Sequence, residues 1–281
     1  MRRLIIIASI LSSSLYYGQS TETTKSLLNK MHQSILKYQD LRFTLLRSER
    51  DEKEYIKGSF DGKLTINPFR VYLKNHFPNK GSEILYLEGI NNNKAWVNPN
   101  AFPYLTLSLH PENKLLIAGG HHSLKLLGFS VIDQMILLYR ENYKEDFFNF
   151  TKYHGMAEWK NMNCYKIILN YPDYKIIKYN AKKGEKLNTI AEKKLLNIAK
   201  LKKLNPNIDP NKELNSGQEI KITNAYAKKA VLYLDTKSYL PVLQEIYDEI
   251  GVYEKYGYYN LKFGKKIPDE EFSIDFEEYG F

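Results

Sequence analysis

The sequence predicts an α+β fold, in which a curved antiparallel β-sheet forms a half-barrel under a helical lid and a small βααβ module is inserted in the C-terminal half. Three observations predict it. Short runs of β-branched and aromatic residues, separated by turn formers, fill most of a chain that has 23 Tyr and 13 Phe. One helical pattern precedes these runs and another interrupts them. Residues 175–222 then change to a lysine-rich pattern with two short helical stripes.

The first helix is predicted over residues 21–41. Apolar residues recur there at helical spacing, and Ser and Thr near the start can cap the helix. The stripe consists of Leu27, Leu28, Met31, Ile35 and Tyr38. One face of this helix is therefore expected to be buried.

Six strands are predicted next, and they form an antiparallel meander. Their ranges are 42–47, 55–60, 63–66, 69–73, 83–88 and 95–97. The turns between them are predicted at Asp61-Gly62, Asn67-Pro68, 79–81 and 91–93. Residues 83–88 are apolar on both faces, so something should cover or fill that part of the sheet.

A helical stripe over residues 131–139 and a second short helix at 145–148 interrupt the strands. Strands are then predicted at 150–159, 163–170, 228–235, 240–247 and 252–262. About ten strands in one antiparallel sheet must curl, and helices packed against the concave side would hide its apolar surface. The interior is either a solid core or a ligand cavity, and periodicity leaves both open.

The N-terminus has the layout of a secretory signal, which we place at residues 1–20. Arg2 and Arg3 precede the apolar stretch Leu4–Leu11, and Ser12–Ser20 is mostly small and polar. The alternative is a retained N-terminal anchor. Cys164 is the only cysteine, which argues against a lipid-modified N-terminus and excludes an intramolecular disulfide. We therefore expect a soluble periplasmic protein that does not span the membrane once the signal is removed.

The positive charge is concentrated in residues 175–222. They contain 12 Lys and 5 acidic residues, a net charge of +7. The whole chain has a charge of +9 and loses two positive charges with Arg2 and Arg3, so this segment accounts for the entire net charge of the exported chain. A basic segment on a neutral body suggests an anionic partner, and the alternative is a solvated lysine face. Nucleic acid is not expected, because the segment lacks Arg and the signal directs the chain out of the cytoplasm.

The basic segment is predicted to form a strand, two helices and a second strand, in that order along the chain. Helices are predicted at 187–194 and 198–204, between strands at 175–180 and 219–222. Pro206 ends the second helix, because the residue before a proline avoids helical geometry. Paired terminal strands bring both ends of the module together, so it can replace a hairpin loop. The domains are therefore predicted as 21–174 with 223–281, and 175–222.

Two motifs in this segment resemble the LysM family. They are residues 179–191, YNAKKGEKLNTIA, and residues 201–222, which include LKKLNPN and LNSGQEIKI. The resemblance implies binding to the N-acetylglucosamine units of peptidoglycan or chitin. The implied groove lies between two loops, formed by Gly184, Glu185, Lys186 and Leu187 and by Asn205, Pro206, Asn207 and Ile208. Alternatively, the module serves as a spacer or a protein-contact module.

The flanking chain resembles the LolA/LppX type of periplasmic lipoprotein carrier and a related family of unknown function. The motifs that carry the resemblance are C-terminal: residues 234–242, residues 249–256 and the stretch from Leu261 to Phe272. The resemblance implies a half-barrel whose concave face holds acyl chains of a lipid or lipoprotein. Candidate lipid-binding residues are Phe43, Leu45, Val71, Leu73, Leu85 and Leu87, each of which can also be simple core.

The sequence Gly119-Gly120-His121-His122 is the strongest enzymatic candidate, because adjacent histidines can bind metal or transfer protons. No HExxH, paired CxxC or nucleophilic serine motif accompanies it. We interpret it as a turn with hydrogen-bonded histidines. No catalytic residue, metal or cofactor is predicted.

Three functions remain open at this point. The first is a non-enzymatic periplasmic protein that binds lipid or acylated cargo and attaches to peptidoglycan. The second is a structural wall-binding or envelope-assembly protein with a filled core. The third is a wall-active enzyme that uses His121 and His122.

Overall fold

A computed structural model describes residues 23–52, 54–111, 113, 116 and 120–281. The predicted signal at residues 1–20 and Gly119 lie outside the described residues. The helices are α1 (Thr24–Lys37), α2 (Ser130–Tyr143), α3 (Phe147–Phe150), α4 (Leu187–Lys194) and α5 (Ile198–Leu204). The first strands are β1 (Asp40–Asp51), β2 (Glu54–Thr65), β3 (Arg70–Phe77), β4 (Glu83–Leu87), β5 (Ala95–Asn98) and β6 (Leu107–Leu109). The later strands are β7 (Thr151–Trp159), β8 (Met162–Asn170), β9 (Ile176–Asn180), β10 (Glu219–Thr223), β11 (Lys229–Asp235), β12 (Pro241–Tyr247) and β13 (Val252–Phe263).

Within the described part of the chain, eleven strands form one antiparallel sheet in the order β6-β5-β4-β3-β2-β1-β13-β12-β11-β8-β7. The central pair is β1 with β13, which joins the two ends of the chain. The sheet does not close, and α1 and α2 pack on the face that we call the inner face. The predicted α+β half-barrel with a helical lid is confirmed.

Helix α1 covers the inner face with the apolar stripe that its sequence predicts. Leu27, Leu28, Met31 and Ile35 are all buried. The Thr23 hydroxyl accepts a hydrogen bond from the Ser26 amide and so caps the helix, satisfying an amide that has no partner within the helix. The helix is therefore held by its packing on the sheet and by its cap.

The predicted turn at Asp61-Gly62 is wrong, because β2 runs without interruption from Glu54 to Thr65. Gly62 lies opposite Phe43 on β1, and a Cβ atom at residue 62 would be 2.4 Å from the Phe43 ring. Glycine at this position leaves room for an aromatic side chain rather than forming a turn.

The C-terminal segment, residues 267–281, covers the outer face of β3, β4 and β5. Ile267 and Phe272 pack there against Tyr72 and Leu85, and the Tyr279 ring stacks on Tyr72 with centroids 3.7 Å apart. The Glu271 carboxylate also accepts hydrogen bonds from the Arg42 guanidinium. This segment is the cover that the two-sided apolar strand β4 requires.

The βααβ module lies between β8 and β11, which are neighbours in the large sheet. Its strands β9 and β10 pair antiparallel, and its apolar residues form a separate core. The Asn224 side chain holds the two connections together, since its oxygen accepts from the Lys175 amide and its nitrogen donates to the Asp173 carbonyl. The module therefore stands in the place of a β8–β11 hairpin loop.

Candidate ligand cavity and glycan-binding module

A cavity of about 330 Å³ lies between the inner face of the sheet and the segment that leads into α2. This volume is at the lower end of the range for small-molecule sites, roughly 300–1,000 Å³. Most of the wall is apolar. The strands contribute Leu45, Phe60, Leu73, Ile84, Val97 and Ile246, the covering segment contributes Leu116, Leu124, Leu126 and Leu127, and α2 contributes Val131, Ile132 and Met135.

One end of the cavity is polar, and the central strand pair forms it. Leu45, Arg47 and Glu49 alternate along β1 and all line the cavity, because successive side chains of a strand point to opposite faces. Their register partners on β13 line it too: Tyr258, Tyr256 and Glu254.

The Glu254 carboxylate is fully buried and is surrounded by donors. Its Oε1 lies 2.8 Å from Nδ1 of His121 and 3.0 Å from Nε2 of His122, and it accepts a 2.6 Å hydrogen bond from the Asn197 amide. Its Oε2 accepts from the Tyr226 hydroxyl at 3.0 Å. A buried carboxylate is tolerated only with such partners, so this cluster keeps Glu254 ionised.

Glu49 is the second buried carboxylate at this end. Its Oε1 accepts from the Tyr256 hydroxyl, and its Oε2 accepts from the backbone amide of His121 at 3.1 Å. The Arg47 Nε lies 3.7 Å from the same Oε2. The segment that carries the two histidines is thus bonded to both central strands.

The charges at the polar end shift each other's pKa values. Burial favours the neutral form of the Glu254 carboxyl, but the charge of His122 and hydrogen bonds from both histidines outweigh it and hold its pKa well below the usual 4.5. Burial likewise lowers the pKa of His122, and the charge and hydrogen bond of Glu254 outweigh it, so the pKa of His122 is raised above 6.5. Both shifts therefore favour the charged form of the His122–Glu254 pair.

The six candidate lipid-binding residues separate into three groups. Leu45 and Leu73 line the cavity. Phe43 and Val71 belong to the inner core but do not line the cavity. Leu85 lies on the outer face under the C-terminal segment.

Leu87 packs beside Leu85 on that outer face. Leu85 and Leu87 therefore do not face the cavity, contrary to the expectation from the sequence. Side chains alternate along β4, and its inner residues are Ile84 and Tyr86. The pattern of β4 is apolar on both sides, so only the tertiary structure distinguishes the two faces.

The sequence predicts only the histidine pair of the polar end. His121 and His122 are adjacent, but their partner Glu254 lies 132 or more positions further along the chain. The sequence signal for the rest is two charged residues at otherwise inward positions of strands, Glu49 on β1 and Glu254 on β13.

The LysM-like module docks on the half-barrel through one side of α5. Asn197 caps α5 by accepting from the Lys200 amide, and its side-chain nitrogen reaches Glu254 on the cavity wall. The Lys200 ammonium, almost fully buried, donates to Asp248 at 2.9 Å and to Glu249 at 2.6 Å.

Lys203 completes this contact one turn later. Its ammonium donates to the Arg50 carbonyl at 2.9 Å and lies 3.0 Å from the Asp51 carboxylate. Two of the module's lysines therefore bind the protein's own host domain rather than an external anion.

The first loop implied as the glycan groove, and the residue that follows it, bond the segment that follows the second implied loop. The Leu214 amide donates to the Glu185 carbonyl at 2.8 Å, and the Asn188 amide donates to the Pro210 carbonyl at 3.2 Å. Gly184 on the first loop is exposed and has a φ of +79°, a conformation that favours glycine.

The eight implied groove residues differ in their exposure. Pro206 and Asn207 are exposed like Gly184, and Glu185, Lys186 and Ile208 are half-buried. Leu187 is buried in the module core. The Asn205 amide is buried and bonds the Leu201 and Lys221 carbonyls. Leu187 and Asn205 therefore shape the loops, and the exposed residues form the accessible rim.

Among the described residues, no group of three or more His, Cys, Asp or Glu side chains is arranged to hold a metal ion. In the same part of the chain, no helix has the length and apolar character needed to cross a membrane.

Comparison with known proteins identifies two families. A family of proteins of unknown function, DUF1571, matches residues 38–187, which is more than half of the chain. The LysM domain matches residues 179–223. No curated protein sequence matches this chain.

Three similar solved structures show the type of relative found. A DUF1329 family protein from Desulfovibrio piger has a TM-score of 0.37 at 10% identity, covering 90% of this chain and 98% of that one. A LolA superfamily protein from Nitrosomonas europaea has 0.34 at 11%, covering 91% and 99%. The lipoprotein LppX from Mycobacterium tuberculosis has a TM-score of 0.40 at 8% identity, covering 87% of this chain and 97% of that one. At these TM-scores the likeness supports no statement about function.

The large open sheet with its covering helices, the inserted module and the two family matches agree on one assignment. The chain belongs to the DUF1571 family and carries an inserted LysM domain.

Proposed function

We propose that this is a non-enzymatic protein of the bacterial envelope that holds a lipid or an acylated partner in its half-barrel and attaches to peptidoglycan through its LysM module. In this proposal the cargo domain is 21–174 with 223–281, and the wall-binding module is 175–222. An export signal at 1–20 would deliver the protein to the periplasm. The observation that carries the cargo proposal is the apolar cavity between the sheet and the covering segment.

The cavity favours a carrier over a purely structural protein. A structural protein needs no unfilled space, since packing every core side chain maximises stability. Here an apolar wall instead surrounds about 330 Å³. Such a space, lined by Leu, Ile, Val and Phe side chains, suits an acyl chain because hydrocarbon gains most from leaving water.

Native mass spectrometry of the full chain, extracted gently, tests the cargo proposal. We expect a fraction of the molecules to carry an added mass in the range of one lipid, and this mass should disappear after delipidation and return on adding lipid. A protein that never takes up lipid under these conditions would contradict the proposal.

Sedimentation with purified peptidoglycan tests the wall-binding proposal. Gly184 and Gly217 have φ values of +79° and +78°, and a Cβ atom at either position would meet nothing within 4 Å. Gly184→Val should distort the groove loop and reduce binding, whereas Gly217→Val imposes the same backbone strain outside both groove loops. Equal sedimentation of the two variants would count against the groove. Deleting the module is a poorer test, because the deletion also removes the hydrogen bond from Asn197 to the buried Glu254 carboxylate of the half-barrel.

A further inference from the structure

The polar end of the cavity combines two buried carboxylates, Glu49 and Glu254, with the cationic side chains of Arg47 and His122. We propose that the cavity binds a single-chain amphiphile with an anionic head group, a carboxylate or a phosphate, whose head lies against Arg47 and His122. This inference rests on the proposed lipid-binding function and names the chemistry of its ligand.

The two carboxylates at the polar end line the cavity, but protein donors already bond them. Glu49 and Glu254 are 1% and 0% exposed. All four of their oxygens already accept from, or lie within ion-pair distance of, protein donors. A carboxylate whose acceptor positions are filled offers little to a cationic head group.

Arg47 and His122 are more accessible at this end than the two carboxylates. The side chains of Arg47 and His122 are 14% and 18% exposed, and both line the cavity. Arg47 lies over its register partner Gly58 on β2, where a Cβ atom would meet Nε and Nη2 of the guanidinium at an ordinary contact distance of 3.4 Å. The guanidinium thus lies along the β2 backbone. Arginine is the side chain best suited to carboxylate and phosphate.

The shape of the cavity suits a ligand with a single apolar tail. The polar end continues directly into the apolar wall, since Leu45 follows Arg47 on the same face of β1. A cavity of about 330 Å³ is small for a ligand site and suits one chain better than two. The site therefore matches a molecule with one acyl or alkyl chain and one charged end.

The experiment compares four ligands with the same twelve-carbon chain: dodecanoate, dodecyl phosphate, dodecanol and dodecylamine. Calorimetric titration of the delipidated full chain at pH 7 should give affinities for both anions roughly tenfold higher than for the alcohol, because one charge-assisted hydrogen bond has about that effect. Dodecylamine should bind most weakly. Equal affinities, or a preference for the amine, would overturn the inference while leaving lipid binding intact. If none of the four binds, the proposed lipid-binding function itself fails, and this inference with it.

Variants separate charge recognition from folding. Arg47→Gln should remove most of the preference for the anions and leave the dodecanol affinity unchanged, and Arg47→Lys should restore part of the preference. Arg70 on β3 is a matched control, because its side chain is 13% exposed but packs on Phe272 at the outer face. Arg70→Gln should keep the full preference. A loss of dodecanol binding in Arg47→Gln equal to the loss of dodecanoate binding would mean that Arg47 only supports the fold, and would contradict its role as a ligand contact.

Discussion

Glu49 and Glu254 are register partners on the central strand pair, so two fully buried carboxylates lie directly across the β1–β13 ladder from each other. Like charges in this arrangement destabilise a sheet unless other groups compensate them. Here the compensation comes from the histidine pair, Arg47 and the tyrosine hydroxyls. The pair joins three parts of the molecule: the sheet, the segment over the cavity and the LysM module.

Stability should depend on pH through the His122–Glu254 pair. The raised pKa of His122 contributes stability that is complete below the unfolded value of 6.5 and is lost as pH rises through the folded pKa. The lowered pKa of Glu254 contributes stability that is complete above 4.5 and is lost as pH falls through its folded pKa. Both contributions are therefore complete between about pH 4.5 and 6.5. Urea unfolding followed by tryptophan fluorescence from pH 5 to 9 should show a declining free energy of unfolding above pH 6.5.

His122→Asn should flatten that decline, and the exposed His154 on β7 supplies the control. His154→Asn should retain the wild-type pH dependence. If His122→Asn and the wild type decline equally, the pH dependence does not come from this pair.

Gly62→Ala should destabilise the protein by about 1–3 kcal/mol, because the new methyl group would overlap the Phe43 ring. Gly58 on the same strand is a control, since a Cβ atom there meets its nearest neighbour at 3.4 Å. Gly58→Ala should be close to neutral in urea unfolding. Equal losses in the two variants would indicate a general preference for glycine in β2 rather than a specific overlap.

Lys200→Met should loosen the module from the half-barrel. The change leaves Glu249 without its lysine partner and Asp248 with Arg50 as its remaining cationic partner, so we expect a loss of roughly 1–3 kcal/mol. Amide hydrogen exchange should increase in α5. Lys178→Met removes an exposed ion pair with Glu219 and should change neither measurement. Unchanged exchange in α5 would show that the module docks without this contact.

Leu73→Trp should reduce lipid uptake, because the larger side chain enters the cavity. Leu87→Ala should leave uptake unchanged, even if it weakens the packing of the C-terminal segment on the outer face. Native mass spectrometry of both variants measures the difference. Reduced uptake in Leu87→Ala alone would place the ligand on the opposite face from the cavity.

The sequence by itself determined the local features of this protein. The α1 stripe, the run of strands and the LysM motifs each lie within a short stretch, so hydrophobic period, capping residues and turn residues were sufficient to predict them. The same local information was misleading at Gly62, where a glycine after an aspartate predicts a turn but packs against a distant ring.

The tertiary structure alone decided which face of β4 is inner and which side chains meet at the polar end. A two-sided apolar strand has no periodic signal for its orientation, so Leu85 and Ile84 are distinguished only by what covers each face. Likewise Glu49, His122 and Glu254 are more than 70 positions apart from one another, and only the β1–β13 register and the covering segment bring them together. Folding removes these charges from water together, and each buried charge then needs a partner inside the protein. This shared burial is what makes the three residues one site.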